Sequence, residues 1–228
     1  MRWTKWTLAA LVAGGLAGAS ASAQPAPPAS QARFVVVLDA AHGGDDTGGR
    51  LSDGQPEKTF TLALSVRLRS LLAARGIQVV TTRESDATVD PNKRAEITNH
   101  AQARACLSLH ASESGSGIHL FASSLTPAQP SRFAAWKTAQ ASSVTRSLAL
   151  EGVLNSALLQ AGMSVTLGRT TLPALDSMTC PAVAVEVAPE RSALHEITAG
   201  LDDKNYQARV ATALAAALVE WRTEAHQP

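Results

Sequence analysis

Short apolar runs alternate with amphipathic helical segments from Phe34 onward, and this alternation limits the possible fold more than any other sequence feature. Residues 34–38, 77–82, 105–109, 117–122 and 182–187 have the apolar pattern of buried strands. Helical patterns lie between them at 59–74, 90–103 and 143–161, and a last helix follows Asp202. The sequence therefore predicts an α/β sandwich, a single domain with a mostly parallel central sheet flanked by helices.

Some details of these elements are also predicted. In the helix at 143–161, Val144, Leu148, Leu154 and Leu158 are expected to point inward. Residues 165–175 are irregular or form a short strand, and 126–142 is the best candidate for a surface insertion. Asp202 is expected to cap the last helix.

The first 23 residues have the pattern of a secretory signal peptide. Arg2 and Lys5 give a short positive region, 6–16 is apolar, and Ala21-Ser22-Ala23 resembles a cleavage site. A membrane anchor is the alternative, but the apolar run is about half of the ~20 residues that span a bilayer. We therefore expect export to the periplasm or the extracellular space, without stable membrane insertion. A Pro/Ala-rich tether follows at 24–32, then the α/β domain at 33–222 and a tail at 223–228.

Charge and cysteine content exclude several classes of protein. The net charge is +1, and it becomes −1 once residues 1–23 are removed, so nothing favours nucleic acid or a polybasic membrane contact. Cys106 and Cys180 are too few for a disulfide scaffold and lack zinc-finger spacing. Two separate buried thiols are favoured for them, and a disulfide stays open because export permits one.

Polar residues follow directly after several of the predicted strands. His42 follows the first strand, His110 the third, and Glu186 lies near the end of the strand at 182–187. Glu57 opens the first long helix. Ligands of open α/β sheets bind beyond the carboxyl ends of the strands, so we expect these four side chains to converge. Two histidines and a glutamate are a ligand set for catalytic zinc, and a further glutamate beside it can carry protons. Helix caps or satisfied polar groups are the alternative for each residue alone.

The motifs resemble those of the zinc-dependent N-acetylmuramoyl-L-alanine amidases of the type-3 class (Amidase_3). The family's D-P-G-H-G-G-x-D corresponds to 39–46, its acidic residue followed by Lys to Glu57-Lys58, and its S-x-H-A-N to 108–112. Its T-R, its R-x-x-x-x-N and its P-A-V-L-V-E correspond to 82–83, 94–99 and 181–186, and its G-x-x-x-Y/F to 117–121. Order and spacing agree from about Phe34 to Trp221.

The resemblance implies a function and a role for each of the four residues. His42, Glu57 and His110 would be the ligands of Zn²⁺, and Glu186 would be the catalytic carboxylate. The implied reaction hydrolyses the amide between N-acetylmuramic acid and the L-alanine of the stem peptide, so the partner is peptidoglycan, both its glycan strand and its stem peptide. Whether an activator protein is needed is left open.

Three positions depart from the family pattern. Ala40-Ala41 replaces Pro-Gly, Ser112 replaces Asn, and Val187-Ala188-Pro189 replaces the residues that usually follow the catalytic glutamate. These changes are expected at the rim of the site. They leave two alternatives open: a zinc peptidase or amidase acting on another amide, and a non-catalytic homologue that binds the cell wall.

Other polar residues near these motifs are weaker candidates for the site. His119 is expected to be structural or on the surface rather than a metal ligand. Asp39 and Asp45 flank His42 and would either orient it or cap the loop.

Overall fold

The structure is a computed structural model, and it describes residues 33–133 and 135–224. The sequence predictions for 1–23 and 24–32, and for most of the tail at 223–228, fall outside the described residues. No helix in the described part of the chain is long and apolar enough to cross a membrane.

Five helices and eight strands are formed by the described residues. The strands are β1 (Val35–Ala40), β2 (Gln78–Thr81), β3 (Ala105–Ala111), β4 (Ile118–Ser123), β5 (Val165–Thr170), β6 (Ala182–Val187), β7 (Glu190–Arg191) and β8 (Ile197–Ala199). The helices are α1 (Glu57–Ala73), α2 (Pro91–His100), α3 (Val144–Gln160), α4 (Pro173–Asp176) and α5 (Lys204–Glu224), with a 3₁₀ segment at Trp136–Ser142.

Six strands form one sheet in the order β2-β1-β3-β6-β4-β5. Neighbouring strands run parallel except for β4 and β6, which are antiparallel. The predicted α/β class with a mostly parallel sheet is therefore confirmed. Because β4 is antiparallel to β6, the first residues of β4 lie at the edge of the sheet where β6 ends.

Successive side chains of each strand point alternately into two hydrophobic cores, which lie on opposite faces of the sheet. Val36 and Leu38 point to the larger core, which α1, α3 and α5 cover. Val37 points to the smaller one, which contains Cys106, Cys180 and residues of the α4 region. Because both faces of the sheet are covered, side chains on both faces of the strands are buried, and the strand sequences are continuously apolar.

Cys106 and Cys180 form a disulfide, so the expectation of two separate thiols was wrong. Cys106 pairs with Ala182 across β3 and β6, and Cys180 lies two residues before Ala182. The cysteine Cα atoms are therefore 6.3 Å apart, within the range of a disulfide. Sequence alone did not show that β3 and β6 are neighbours.

Several predicted details differ from the structure. Leu148 is 38% exposed, and Leu150 is buried instead. Asp203, not Asp202, caps α5 by accepting hydrogen bonds from the backbone amides of Asn205 and Tyr206.

The predicted surface insertion at 126–142 is in part anchored to the body of the domain. Gln140 is fully buried, and its amide donates hydrogen bonds to the carbonyl oxygens of Met178 and Cys180. The sequence pattern missed this anchor because a single buried amide in a polar, proline-containing segment gives no periodicity.

Candidate active site

Glu57 lies at the first residue of α1, two residues before the predicted start of the helix. Its side chain is buried, and both carboxylate oxygens are partnered. Oε1 accepts hydrogen bonds from the Ala111 amide and His110 Nδ1, each at 3.1 Å. Oε2 accepts one from the Gly49 amide at 2.9 Å and lies 3.1 Å from His42 Nε2. Burial raises the pKa of Glu57, but these hydrogen bonds outweigh it and hold the pKa well below its usual range.

His42 lies in a loop of left-handed backbone directly after β1, with a φ of 62°. Its Nδ1 lies 2.9 Å from both carboxylate oxygens of Asp46, and its Nε2 faces Glu57. The hydrogen bond with Glu57 raises the pKa of His42, burial lowers it, and Asp46 raises it further. A carboxylate on one imidazole nitrogen leaves the other nitrogen oriented to bind a cation.

Gly48 permits this arrangement. A Cβ atom at Gly48 would lie 2.6 Å from the His42 ring and 2.7 Å from Glu57 Oε2, and the φ of +64° also favours glycine. Any larger residue would push apart the imidazole and the carboxylate.

His110 is the second-to-last residue of β3 and lies next to a buried polar network. Its Nδ1 faces Glu57, and its Nε2 lies 3.4 Å from the Ser108 hydroxyl. Ser108 donates to Asp39 Oδ2 at 2.9 Å. Asp39 forms an ion pair with Arg94 at 2.7 Å, and both side chains are buried. These contacts link the His110 ring through Ser108 and Asp39 to Arg94, and they restrict the orientation of the ring.

Two arginines hold the loop that carries His42. Arg94 donates from Nη2 to the His42 carbonyl oxygen at 2.6 Å. Arg83 donates to the carbonyl oxygens of Ala40 and Ala41. The loop backbone is therefore tied to α2 and to the end of β2.

The ligand atoms of His42, Glu57 and His110 all lie within 4.8 Å of one another. Two imidazole nitrogens and an ionised carboxylate are the donor set of many catalytic zinc sites, which keep one coordination position open. The low pKa of Glu57 means that this carboxylate is charged before a metal arrives. The residues present thus fit a zinc ion, and the predicted convergence of these three side chains is observed.

Glu186 stands beside this cluster in the sheet. It pairs with His110 across β3 and β6, and in-register neighbours project from the same face of a sheet. Its Oε1 lies 2.8 Å from Nδ1 of His119 on β4. Among the four predicted residues, Glu186 is the one that does not contact the other three through its side chain within the described residues.

A cavity of about 140 Å³ lies beside the two histidines. It is lined by polar residues of the site and by an apolar wall from the α4 region: Asp39, Ala41, His42, Asp46, Pro91, Arg94, Ser108, His110 and 172–175. A larger groove of about 850 Å³ runs along α1 and contains none of the four predicted site residues.

Residues 36–220 match the family described as N-acetylmuramoyl-L-alanine amidase, which is most of the chain. The chain belongs to this family. The resemblance inferred from the motifs is thereby confirmed.

Relatives of this amidase domain include amidases of Escherichia coli and Bacillus subtilis. It is 38% identical over 88 residues to the N-acetylmuramoyl-L-alanine amidase AmiA of Escherichia coli, covering 39% of this chain and 30% of AmiA. It is 32% identical over 90 residues to the germination-specific N-acetylmuramoyl-L-alanine amidase of Bacillus subtilis, covering 33% of this chain and 38% of that protein. The matches thus span about a third of the length of these curated relatives.

Solved structures of amidases share the fold. The catalytic domain of CwlV from Bacillus (Paenibacillus) polymyxa superimposes with a TM-score of 0.64 at 26% identity, covering 83% of this chain and 98% of that domain. Ami1 of Mycobacterium abscessus gives a TM-score of 0.66 at 21% identity, with coverage of 83% and 98%. The described part of the amidase domain therefore has the architecture of a whole amidase catalytic domain.

The structure also identifies site residues that sequence reasoning missed or misjudged. Asp46 contacts His42, whereas Asp45 is exposed and its carboxylate contacts nothing among the described residues. Asp39 reaches His110 through Ser108 and the His42 backbone through Arg94, and its own contacts do not include the His42 ring. The motif at 39–46, which ends at Asp46, was the only sequence signal for the first contact. The second could not be found, because it depends on the pairing of β1 with β3.

Proposed function

We propose that this protein is a zinc-dependent peptidoglycan hydrolase that cleaves the amide between N-acetylmuramic acid and the L-alanine of the stem peptide. The family match over residues 36–220 supports the reaction, and the clustering of His42, Glu57 and His110 supports the metal. The single observation that carries the proposal is the buried Glu57 carboxylate between two imidazoles, because one carboxylate and two imidazole nitrogens this close together are a donor set of catalytic zinc sites.

The proposal includes the location of the substrate. Peptidoglycan lies outside the inner membrane, and residues 1–23 have the pattern of a signal peptide. A periplasmic or extracellular protein would reach both glycan strand and stem peptide there. The disulfide between Cys106 and Cys180 agrees with an oxidising compartment.

The mechanism divides between metal ligands and a proton carrier. His42 Nε2, His110 Nδ1 and the Glu57 carboxylate would hold the ion, which supplies a Lewis acid for the amide carbonyl and for water. Asp46 keeps His42 in the tautomer that presents Nε2. Glu186, on the same face as His110, would take a proton from the attacking water and pass one to the leaving amine of L-alanine.

The residues that depart from the family pattern do not support a different substrate. Val187 and Ala188 are fully buried, and the Ala188 carbonyl oxygen accepts a hydrogen bond from the Tyr206 hydroxyl. Ala40 and Ala41 are buried as well. The expectation that these positions form the rim of the site was wrong for Ala40, Val187 and Ala188, whose side chains lie within the packed body of the domain. Ala41 lines the cavity beside the histidines, and Ser112 is partly exposed.

The decisive experiment is digestion of purified sacculi by the zinc-loaded protein. Mass spectrometry should detect free stem peptides that begin with L-alanine, together with glycan strands that have lost them. Release of shorter peptides would indicate a zinc peptidase instead. Stoichiometric binding to sacculi without any product would indicate a non-catalytic homologue.

A further inference from the structure

His110, Glu186 and His119 form a row across three neighbouring strands. His110 pairs with Glu186 across β3 and β6, and Glu186 pairs with His119 across β6 and β4. Neighbouring strands lie about 4.8 Å apart, so the three side chains stand side by side on one face. The antiparallel direction of β4 brings His119, its second residue, to this edge. A fully parallel sheet would have placed the residue at the opposite edge.

The contact between His119 and Glu186 is short and specific. Nδ1 of His119 lies 2.8 Å from Oε1 of Glu186. The His119 side chain is 14% exposed, whereas that of Glu186 is 31% exposed. The more buried partner is therefore the histidine, and the more accessible one is the proposed proton carrier.

The surroundings fix the imidazole ring. Gly115, with a φ of +83°, lies so close that a Cβ there would come within 2.3 Å of His119 Cε1. The Phe121 ring, two residues along β4, packs edge-on with ring centroids 6.4 Å apart. A ring confined by backbone on one side and an aromatic edge on another has few alternative rotamers.

We propose that His119 is a positioning residue for Glu186, an assignment that rests on the proposed role of Glu186 in proton transfer. The Nδ1–H group donates to Oε1 and fixes one carboxylate oxygen. Oε2 makes no hydrogen bond with any described residue, so it is the oxygen that exchanges protons. Without His119, the partly exposed Glu186 would sample several rotamers, and only some would face the reacting water.

The loss of activity expected on removal of His119 can be estimated from its positioning role alone. A residue that orients a catalytic group through one hydrogen bond typically changes activity about 10–100-fold. A displacement of about 1 Å in a reacting group can cost about 10²-fold. A purely structural ion pair at a partly exposed site would change turnover little.

A matched pair of variants tests the proposal. The side chains introduced by His119→Leu and His119→Asn have the same number of heavy atoms and the same branching at Cγ, but only asparagine keeps a donor near the position of Nδ1. We expect His119→Leu to bind zinc stoichiometrically and to lower kcat about 10–100-fold on soluble peptidoglycan fragments, with KM unchanged. His119→Asn should recover most of the lost rate. His100→Leu, at an exposed histidine on α2, is the control and should leave kcat unchanged.

A double substitution shows whether His119 acts through Glu186. In a Glu186→Gln background, His119→Leu should lower the residual rate less than twofold, since no proton-accepting carboxylate remains to be positioned. An equal loss in both backgrounds would overturn the proposal. So would loss of zinc from His119→Leu, an unchanged kcat, or equal rates for Leu and Asn. If His119→Leu does not fold, His119→Ala provides the same comparison with Asn.

The wild-type protein, assayed in parallel, separates this inference from the proposed function. An active wild type with an unaffected His119→Leu variant contradicts only the positioning role. A zinc-loaded wild type that releases no stem peptide contradicts the proposed function, and it thereby also contradicts the positioning role of His119.

Discussion

Two buried glutamates of similar exposure, Glu57 on α1 and Glu151 on α3, lie in opposite electrostatic surroundings. Glu57 is 6% exposed and Glu151 is 5% exposed. Glu57 meets two imidazoles and two backbone amides, and its pKa is well below the usual range. Burial raises the pKa of Glu151 to about 7, and the Ala122 amide, the Arg169 charge and the Gly168 amide lower it only in part.

The difference shows that partners, not burial, decide whether an internal carboxylate is charged. Oε1 of Glu151 is buried and has no hydrogen-bond partner within the described residues. Both oxygens of Glu57 have two neighbours each. A fold that places four donors around one carboxylate keeps it ionised, as a metal ligand requires. Glu151 has no such arrangement among the described residues, so we interpret it as a structural group.

The largest expected effect comes from making the same substitution in both regions. Glu57→Gln should lose zinc and reduce activity about 10³-fold or more, because the metal supplies several kcal/mol of transition-state stabilisation. Glu151→Gln should keep both zinc and activity. His42→Ala and His110→Ala should behave like Glu57→Gln. Metal analysis and a turnover assay on the same preparations decide this, and full zinc in either histidine variant would contradict the ligand assignment.

The next effect distinguishes the proposed zinc ligands from the proposed proton carrier. Glu186→Gln should retain zinc and the fold but lower kcat about 10²–10⁴-fold, since glutamine can hydrogen-bond water but cannot accept its proton. Zinc stoichiometry and kcat are measured on one sample. A parallel loss of zinc would make Glu186 a ligand, and wild-type turnover would remove it from the mechanism.

A smaller effect is expected at the residue that orients His42. Asp46→Asn should weaken zinc affinity about 10–100-fold, because a carboxylate hydrogen-bonded to a ligating imidazole fixes its tautomer and raises its basicity. Asp45→Asn is the matched control, one residue away and exposed. Competition with a zinc chelator measures both affinities. Equal affinities for the two variants would show that Asp46 does not support the metal.

The sequence was sufficient to predict the α/β class because continuous apolar runs at strand positions have few other solutions. It also predicted the convergence of His42, Glu57 and His110, since each follows a strand or opens a helix at the same edge of the sheet. These predictions depend on local pattern and on a general rule of topology.

What sequence could not predict depends on strand order and direction. The disulfide needed β3 beside β6, and the contact of His119 with Glu186 needed β4 antiparallel to β6. No local pattern in 117–122 encodes that direction. Glu151 was missed for another reason: a single glutamate among the apolar positions of a helix has the appearance of a solvated residue until its neighbours are known.

The smallest effect concerns stability and its dependence on pH. The pKa of Glu151 is about 7 in the folded protein, against 4.5 for a free glutamate side chain. Between these values the folded protein holds a proton that the unfolded chain has released. The contribution of Glu151 to the free energy of unfolding is therefore highest below pH 4.5, falls as the pH rises toward 7, and is constant above it.

Glu151→Gln removes this dependence because glutamine is always neutral. At pH 8 the variant should be more stable than the wild type by about 1–2 kcal/mol, a value reduced from the ~1.4 kcal/mol per pKa unit to allow for relaxation around the buried carboxylate. At pH 5, where wild-type Glu151 is mostly protonated, the two proteins should differ much less. Urea unfolding of both, after treatment with a chelator so that zinc does not contribute, measures the difference at each pH. Other titrating groups cancel because they are shared. An equal difference at pH 5 and pH 8 would show that Glu151 is already ionised in the folded protein, and the contrast with Glu57 would then disappear.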